Sequence, residues 1–201
     1  MKELEEERLQ ANAQTISELI ASGLRASAVK EGDAAPDFAL PDTHGRVVAL
    51  QTLLDGGPVV ISFYRGAWCP FCNLELRGLQ RVLPQIEQMG ASLVAISPQL
   101  PDHSLSTEEK NQLTFPVLSD VGNVVAKRFG IVFTLPAALV QAYQAMGRDL
   151  VEINGEAGAG QLPIPATFVL DKSGVIRLAF VEEDWSKRLD PEIVLDTLRL
   201  I

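Results

Sequence analysis

From residue 59 onward, short continuous apolar runs alternate with stretches that are apolar at every third or fourth position. Val59-Val60-Ile61-Ser62-Phe63-Tyr64 and Ala91-Ser92-Leu93-Val94-Ala95-Ile96 carry the β-branched and aromatic residues of buried strands. Leu76, Leu79, Leu83 and Ile86 recur at helical spacing between them, with Gly90 as the stop. Pro84 inside that helix predicts a kink, because it lacks the N–H for one ladder bond. Residues 104–113 read as a polar helix capped by Ser106 or Thr107, and residues 115–118 as a short strand. Residues 120–129 and 136–146 read as helices closed by Gly130 and Gly147. Residues 155–160 read as a flexible loop. Residues 166–170 and 175–180 flank Asp171-Lys172-Ser173-Gly174 as a hairpin. A last helix opens at Asp190 and Pro191, with Ile193, Val194, Leu198 and Ile201 as its apolar face and Trp185 packed beneath.

The first third is organised differently. Residues 1–31 form a Glu-, Gln- and Ala-rich extension in which Ile16, Leu19, Ile20 and Leu24 fall at helical spacing. Such a helix packs on its own domain or on a second copy in a homodimer; the first reading is favoured. Residues 37–41 and 46–50 flank a Gly-containing turn and predict a β-hairpin. The whole reads as α/β: a mixed central sheet flanked by helices over residues 32–201, preceded by the hairpin and the helical extension.

Charge narrows the function classes. Lys and Arg number 17 against 26 Asp and Glu, a net charge of −9. Nucleic-acid backbones and anionic membrane surfaces both demand the opposite sign, so neither is an expected partner. The opening Met1-Lys2-Glu3-Leu4-Glu5 is no apolar signal segment and no apolar run reaches bilayer length, so the expectation is a cytoplasmic protein.

The two cysteines, Cys69 and Cys72, carry the candidate chemistry. They follow a buried strand and open a helix, with Pro70 suited to its first turn. Unpaired N–H groups and the helix dipole favour negative charge there, which lowers a thiol pKa. Residues three apart on one turn are neighbours, so a Cys69–Cys72 disulfide opens and closes with little backbone movement. An exposed position completes this reading of a redox dithiol. A structural zinc site would need four ligands, and only His44 and His103 could join, at no ligand spacing. Buried inert thiols are the other bland alternative. No metal, flavin or nucleotide is implied; Gly155-Glu156-Ala157-Gly158-Ala159-Gly160 does not lie between a strand and a helix as a phosphate loop does.

Ala35-Pro36-Asp37-Phe38, the strand ending Phe63-Tyr64, Trp68-Cys69-Pro70-Phe71-Cys72 and Pro165-Ala166-Thr167-Phe168-Val169-Leu170-Asp171 together resemble the peroxiredoxin-like (alkyl hydroperoxide reductase / thiol-specific antioxidant) family of the thioredoxin superfamily. The resemblance covers residues 32–201. It implies a thioredoxin-like fold and a thiol-dependent peroxidase that reduces hydrogen peroxide or organic hydroperoxides. It also implies regeneration by a thioredoxin- or glutaredoxin-like thiol donor. Counted from Phe63-Tyr64, Cys72 falls on the family's peroxidatic cysteine and Glu75 on its acidic residue three later. Cys69 replaces the family's threonine and Arg65 its proline. The family's later arginine falls on Pro165, which in thioredoxins is a cis-proline facing the dithiol; Ile164–Pro165 is thus a candidate cis bond, and Thr167 lies just beyond it. Attack by Cys72 with Cys69 resolving is the peroxiredoxin order; attack by Cys69 is the thioredoxin order. Arg65 is either a thiolate-stabilising cation or a solvated loop charge, and Trp68 and Phe71 flank the dithiol as a recognition surface. Two other functions remain open: a protein thiol–disulfide oxidoreductase, and a non-catalytic redox sensor or binding module.

Overall fold

The computed structural model describes residues 2–201, apart from the side chains of residues 2–5 and 7. Helix α1 (Lys2–Ser22) ends at Gly23, whose φ of 69° takes the chain out of the helical ladder, and one further turn follows as α2 (Leu24–Ser27). Thr15 and Leu19 on α1 are buried and Ile16 is half-buried, but Ile20 lies open to solvent. The buried stripe is therefore narrower than the apolar spacing predicts.

The hairpin forms from β1 (Ala39–Pro41) and β2 (Val47–Ala49), antiparallel with Leu40 opposite Val48. Leu50, placed by its sequence in a strand, instead begins the short helix α3 (Leu50–Gly56). Every residue of β3 (Val59–Phe63) is buried, as its unbroken apolar run demands. Helix α4 (Pro70–Gln88) follows. It continues through Pro84 as one helix rather than breaking there; the buried residues Leu83 and Ile86 hold the turns on both sides of the missing bond.

Next come β4 (Ser92–Ser97), α5 (Pro101–Asn111), β5 (Val117–Ser119) and α6 (Val124–Arg128). α5 begins a full turn earlier than its polar composition suggests. Pro101 stands at its first position, and Thr107, expected as a cap, is buried within it. The Asp120 carboxylate accepts hydrogen bonds from the amides of Val125 and Ala126, satisfying free donors at the start of α6.

The apolar stretch after Gly130 contains a strand, β6 (Val132–Thr134), then α7 (Ala137–Ala145) and α8 (Leu150–Asn154). Residues 155–160 form the expected loop, and directly after it β7 (Gln161–Pro163) pairs with β6 as the second half of a ribbon. Strands β8 (Ala166–Leu170) and β9 (Ile176–Val181) form the expected hairpin, and α9 (Pro191–Leu198) closes the chain with Asp190 accepting from the Glu192 amide. Its buried face is Val194, Leu195 and Leu198; Ile193 and Ile201 are exposed.

The main sheet has the order β5-β4-β3-β8-β9. β3, β4 and β5 run parallel, and β8 and β9 antiparallel to their neighbours. Alternation along β3 sorts its side chains between two cores. Val60 and Tyr64 face α4 and α9, whereas Val59, Ile61 and Phe63 face the layer of α6, α7 and the N-terminal segment. On that second side Phe63, Phe129 and Phe168 form an aromatic cluster with centroids 4.9–6.1 Å apart. α1 lies along α7 on this side. Trp185 also belongs here, stacked on Phe133, and not beneath α9 as its place in the sequence suggested. Every peptide bond among the described residues is trans, including Ile164–Pro165. The Ile164 amide donates to the Ile131 carbonyl at 2.7 Å, so the chain passes from the β6–β7 ribbon into β8 in extended form, the conformation that a following proline favours.

Candidate active site

The loop between β3 and α4 is held from three sides. Gly66 has φ 145°, and a Cβ there would lie 2.5 Å from Trp68 Nε1 and 3.1 Å from Gln99 Oε1, so only glycine fits. The Ala67 amide donates to Gln99 Oε1 at 2.9 Å, and its carbonyl accepts from Asn73 Nδ2 at 2.8 Å and Lys110 Nζ at 3.2 Å. Asn111 of α5 then donates to Asn73 at 2.9 Å and accepts from Arg77 at 2.8 Å. Most of these partners are buried, so this network fixes the loop against α5.

Cys69 is the N-cap of α4 and Pro70 its first residue. Both sulfurs are reduced and buried: Cys69 is 1% and Cys72 0% exposed. An exposed dithiol was expected; instead the packing of α4 on β3 draws both thiols into the core beside Val60, Tyr64 and Leu76. The Cys72 thiol donates to the Cys69 sulfur, which lowers the Cys69 pKa well below the ordinary thiol range despite burial, with help from the charge on Arg65. Burial first, and then the same bond, push Cys72 well above that range. Within the pair, Cys69 is therefore the sulfur biased toward the thiolate.

Arg65 is 4% exposed, which removes the solvated-charge reading. Its guanidinium lies 4.9 Å from the Trp68 ring and 4.5 Å from the Trp185 ring, a cation held between two indoles. Nη2 donates to the Tyr143 hydroxyl at 3.2 Å, while Nε and Nη1 carry buried donors without a protein acceptor. Arg148 stands 5.8 Å from Trp68, adding a second cation.

Sequence reasoning missed Arg188, from the segment between β9 and α9. Its Nη2 lies 3.5 Å from Cys72 Sγ, and its Nε is 2.9 Å from Glu75 Oε2 as an ion pair without hydrogen-bond alignment. Its Nη1 donates to the carbonyls of Trp185 and Lys187. Glu75 is buried, and burial lifts its pKa to about 7 against the opposing charge of Arg188; Thr167 of β8 also hydrogen-bonds it. The only sequence signal for Arg188 is a basic residue just before an Asp-Pro helix start, and nothing in that pattern points back to Cys72.

The predicted residues therefore divide. Cys69, Cys72, Arg65, Trp68, Glu75 and Thr167 are brought together. Pro70 shapes the helix start and is exposed, and Phe71 is 40% exposed beside the dithiol. Pro165 is buried at the head of β8. A cleft of about 220 Å³, lined by Ala67, Trp68, Gln99, His103, Gly147 and Asp149, opens beside the loop. No group of three or more His, Cys, Asp or Glu able to hold a metal occurs among the described residues.

A parallel–antiparallel sheet with a Cys-Pro-Phe-Cys helix start at the end of its central strand defines a thioredoxin-like dithiol protein. The AhpC/TSA family matches residues 31–179, and the chain belongs to that family. Chloroplastic peroxiredoxin Q of Populus jackii is 30% identical over 174 residues, which is 86% of this chain and 68% of that protein. Peroxiredoxin Bcp of Escherichia coli (strain K12) is 35% identical over 103 residues, 51% of this chain and 65% of that one. The crystal structure of peroxidoxin BcpB from Mycobacterium tuberculosis superposes with a TM-score of 0.67 at 27% identity, covering 86% of this chain and 98% of that one. Among the described residues no helix is long and apolar enough to cross a membrane.

Proposed function

We propose that Cys69 and Cys72 are the redox centre of this thiol-dependent peroxidase, with Cys72 the sulfur that attacks the peroxide and Cys69 the sulfur that resolves it. The observation that carries the reading is the pair of buried thiols at the start of α4, with the buried Arg65 in the preceding loop and Arg188 and Glu75 against Cys72. At rest the proton lies on Cys72. Its transfer along the S–H···S bond to Cys69 leaves a Cys72 thiolate beside Arg188, in the family's peroxidatic register. That thiolate attacks one peroxide oxygen and the O–O bond breaks. The departing alkoxide or hydroxide takes the proton back from Cys69, leaving a Cys72 sulfenic acid and a Cys69 thiolate. The Cys69 thiolate then attacks Cys72; the S–O bond breaks and hydroxide leaves, protonated by Glu75, which is about half protonated near pH 7. The sum is one peroxide and one proton converted to an alcohol, a water and the Cys69–Cys72 disulfide.

A thioredoxin- or glutaredoxin-type dithiol restores the pair by exchange. Both cysteines come from one chain, so a homodimer is not needed to complete the site. The thioredoxin order, with Cys69 attacking, is the second reading, favoured by the resting charge on that sulfur.

Stopped-flow peroxide consumption with sulfenic-acid trapping separates these. Cys72→Ser is expected to lose the peroxide reaction by at least about 10³-fold. Cys69→Ser is expected to accumulate a trappable sulfenic acid at Cys72. The reverse pattern selects Cys69 as the attacking sulfur. Undiminished turnover in both variants would reject the dithiol assignment.

A further inference from the structure

The family match begins at residue 31, so α1 lies wholly outside it. Yet two hydrogen bonds link α1 to Arg65, whose charge bears on Cys69. The Tyr143 hydroxyl accepts from Arg65 Nη2 at 3.2 Å and donates to Asn12 Oδ1 on α1 at 3.4 Å. The polarity is consistent along the chain: a phenol has one proton to give and takes one from a guanidinium, which can only donate. Tyr143 is 1% exposed, and its ring packs 5.1 Å from Trp68, one of the two indoles that clamp Arg65. Thr15 and Leu19, on the turns after Asn12, are buried and fix the helix on α7.

We infer that α1 is a working part of the dithiol site, with Asn12 and Tyr143 forming a strut that orients the Arg65 guanidinium toward Cys69. Tyr143 and Asn12 are positioning residues, since neither touches a sulfur in the described contacts. The inference rests on the reading of the cysteine pair as the redox centre.

The physical logic is that a planar guanidinium sandwiched between two rings can still rotate in its plane. One in-plane anchor removes that freedom. With Nη2 tied to Tyr143, Nε and Nη1 remain the donors that have no protein acceptor. These are the groups left to face an anionic sulfur or a peroxide oxygen. Other charged and titratable groups bear on Cys69: Cys72 and Glu75 on α4, Arg188 before α9, and Arg148 after α7. Among these cations Arg65 is the one whose guanidinium Tyr143 hydrogen-bonds, so removing the phenol acts on Cys69 through it.

The test uses the full chain. Cys69 is titrated alone in a Cys72→Ser background, by the pH dependence of iodoacetamide alkylation, with and without Tyr143→Phe or Asn12→Leu. Peroxide reaction rates are measured with both cysteines intact, and thermal melting is recorded for every protein. The expected result is an upward move of the alkylation midpoint with Tyr143→Phe and a smaller move the same way with Asn12→Leu. The peroxide reaction of Tyr143→Phe at neutral pH is expected to slow by about 3- to 10-fold, the loss of one orienting hydrogen bond. Gln14→Ala, on the exposed face of α1, is expected to move neither. An unmoved midpoint in both strut variants overturns the inference, whether or not melting temperatures fall. The alkylation midpoint needs no peroxidase activity, so it decides the strut even if both serine variants keep turning over peroxide and the proposed function fails.

Discussion

Cys69 and Cys72 share one turn of α4, but the residues around them are recruited from different parts of the chain. Arg65, whose charge helps to lower the Cys69 pKa, is held by Trp68 and Trp185 and anchored by Tyr143. Cys72 faces an ionic pair, Arg188 with Glu75, and no aromatic clamp. The hydrogen bond from Cys72, helped by the charge of Arg65, lowers the affinity of Cys69 for a proton; burial and that same bond raise the affinity of Cys72. A helix N-terminus alone does not explain this, because both cysteines lie within its first turn. The hydrogen bond between the two sulfurs and the deeper burial of Cys72 set the difference, and the charges of Arg65 and Arg188 add to it.

The sharpest way to break the contrast is to remove the cation beside Cys72. Arg188→Met leaves Glu75 buried without its partner. It is expected to cost about 3–5 kcal/mol of stability in chemical denaturation, and about 10²-fold in the peroxide reaction. Adding Glu75→Gln is expected to recover most of the stability but little of the rate, which separates the structural from the chemical role of Arg188.

On the other side of the dithiol, Arg65→Met keeps the apolar stem between the indoles and deletes the charge. The alkylation midpoint of the pair is expected to move upward, and the peroxide rate at neutral pH to fall by about 10-fold. An unchanged midpoint would mean that the S–H···S bond alone sets the ionisation.

A last test is a pH dependence of stability from Glu75. Its pKa rises from 4.5 to about 7 on folding, so the folded protein binds the extra proton over that interval. The stability that Glu75 contributes is complete below about pH 4.5 and is lost as pH rises through 7, a change of roughly 3 kcal/mol. Glu75→Gln is expected to flatten that fall in urea titrations at pH 5 and pH 8.

Much of this was written plainly in the chain. The run at 59–63, the Cys-Pro-x-Cys helix start and the 166–181 hairpin follow from apolar runs, from proline at a first helical position and from an Asp-x-x-Gly turn, all of which act locally. Glu75 was also legible, since it lies on the same helix as the cysteines. Arg188 was not: 116 residues separate it from Cys72, and only the β8–β9 hairpin and the return into α9 bring it there. Arg65 was legible as a residue but not as a buried one, because its burial depends on Trp185, which comes from the far end of the chain. The β6–β7 ribbon and α8 escaped notice because elements of three to five residues carry too few positions to show a period. Ile164–Pro165 was read by analogy with thioredoxins. The hydrogen bond that ties Ile164 to the β6–β7 ribbon belongs to this chain's own topology.

The placement of both thiols within the first turn of α4 bears on how the protein would age under sustained oxidant. In the proposed reaction an oxidised Cys72 has its resolving thiol three residues away, at the N-cap of the same helix. A second oxidant molecule must then compete with a neighbour that is always present. Under the proposed pairing, such an arrangement is expected to favour disulfide closure over irreversible overoxidation.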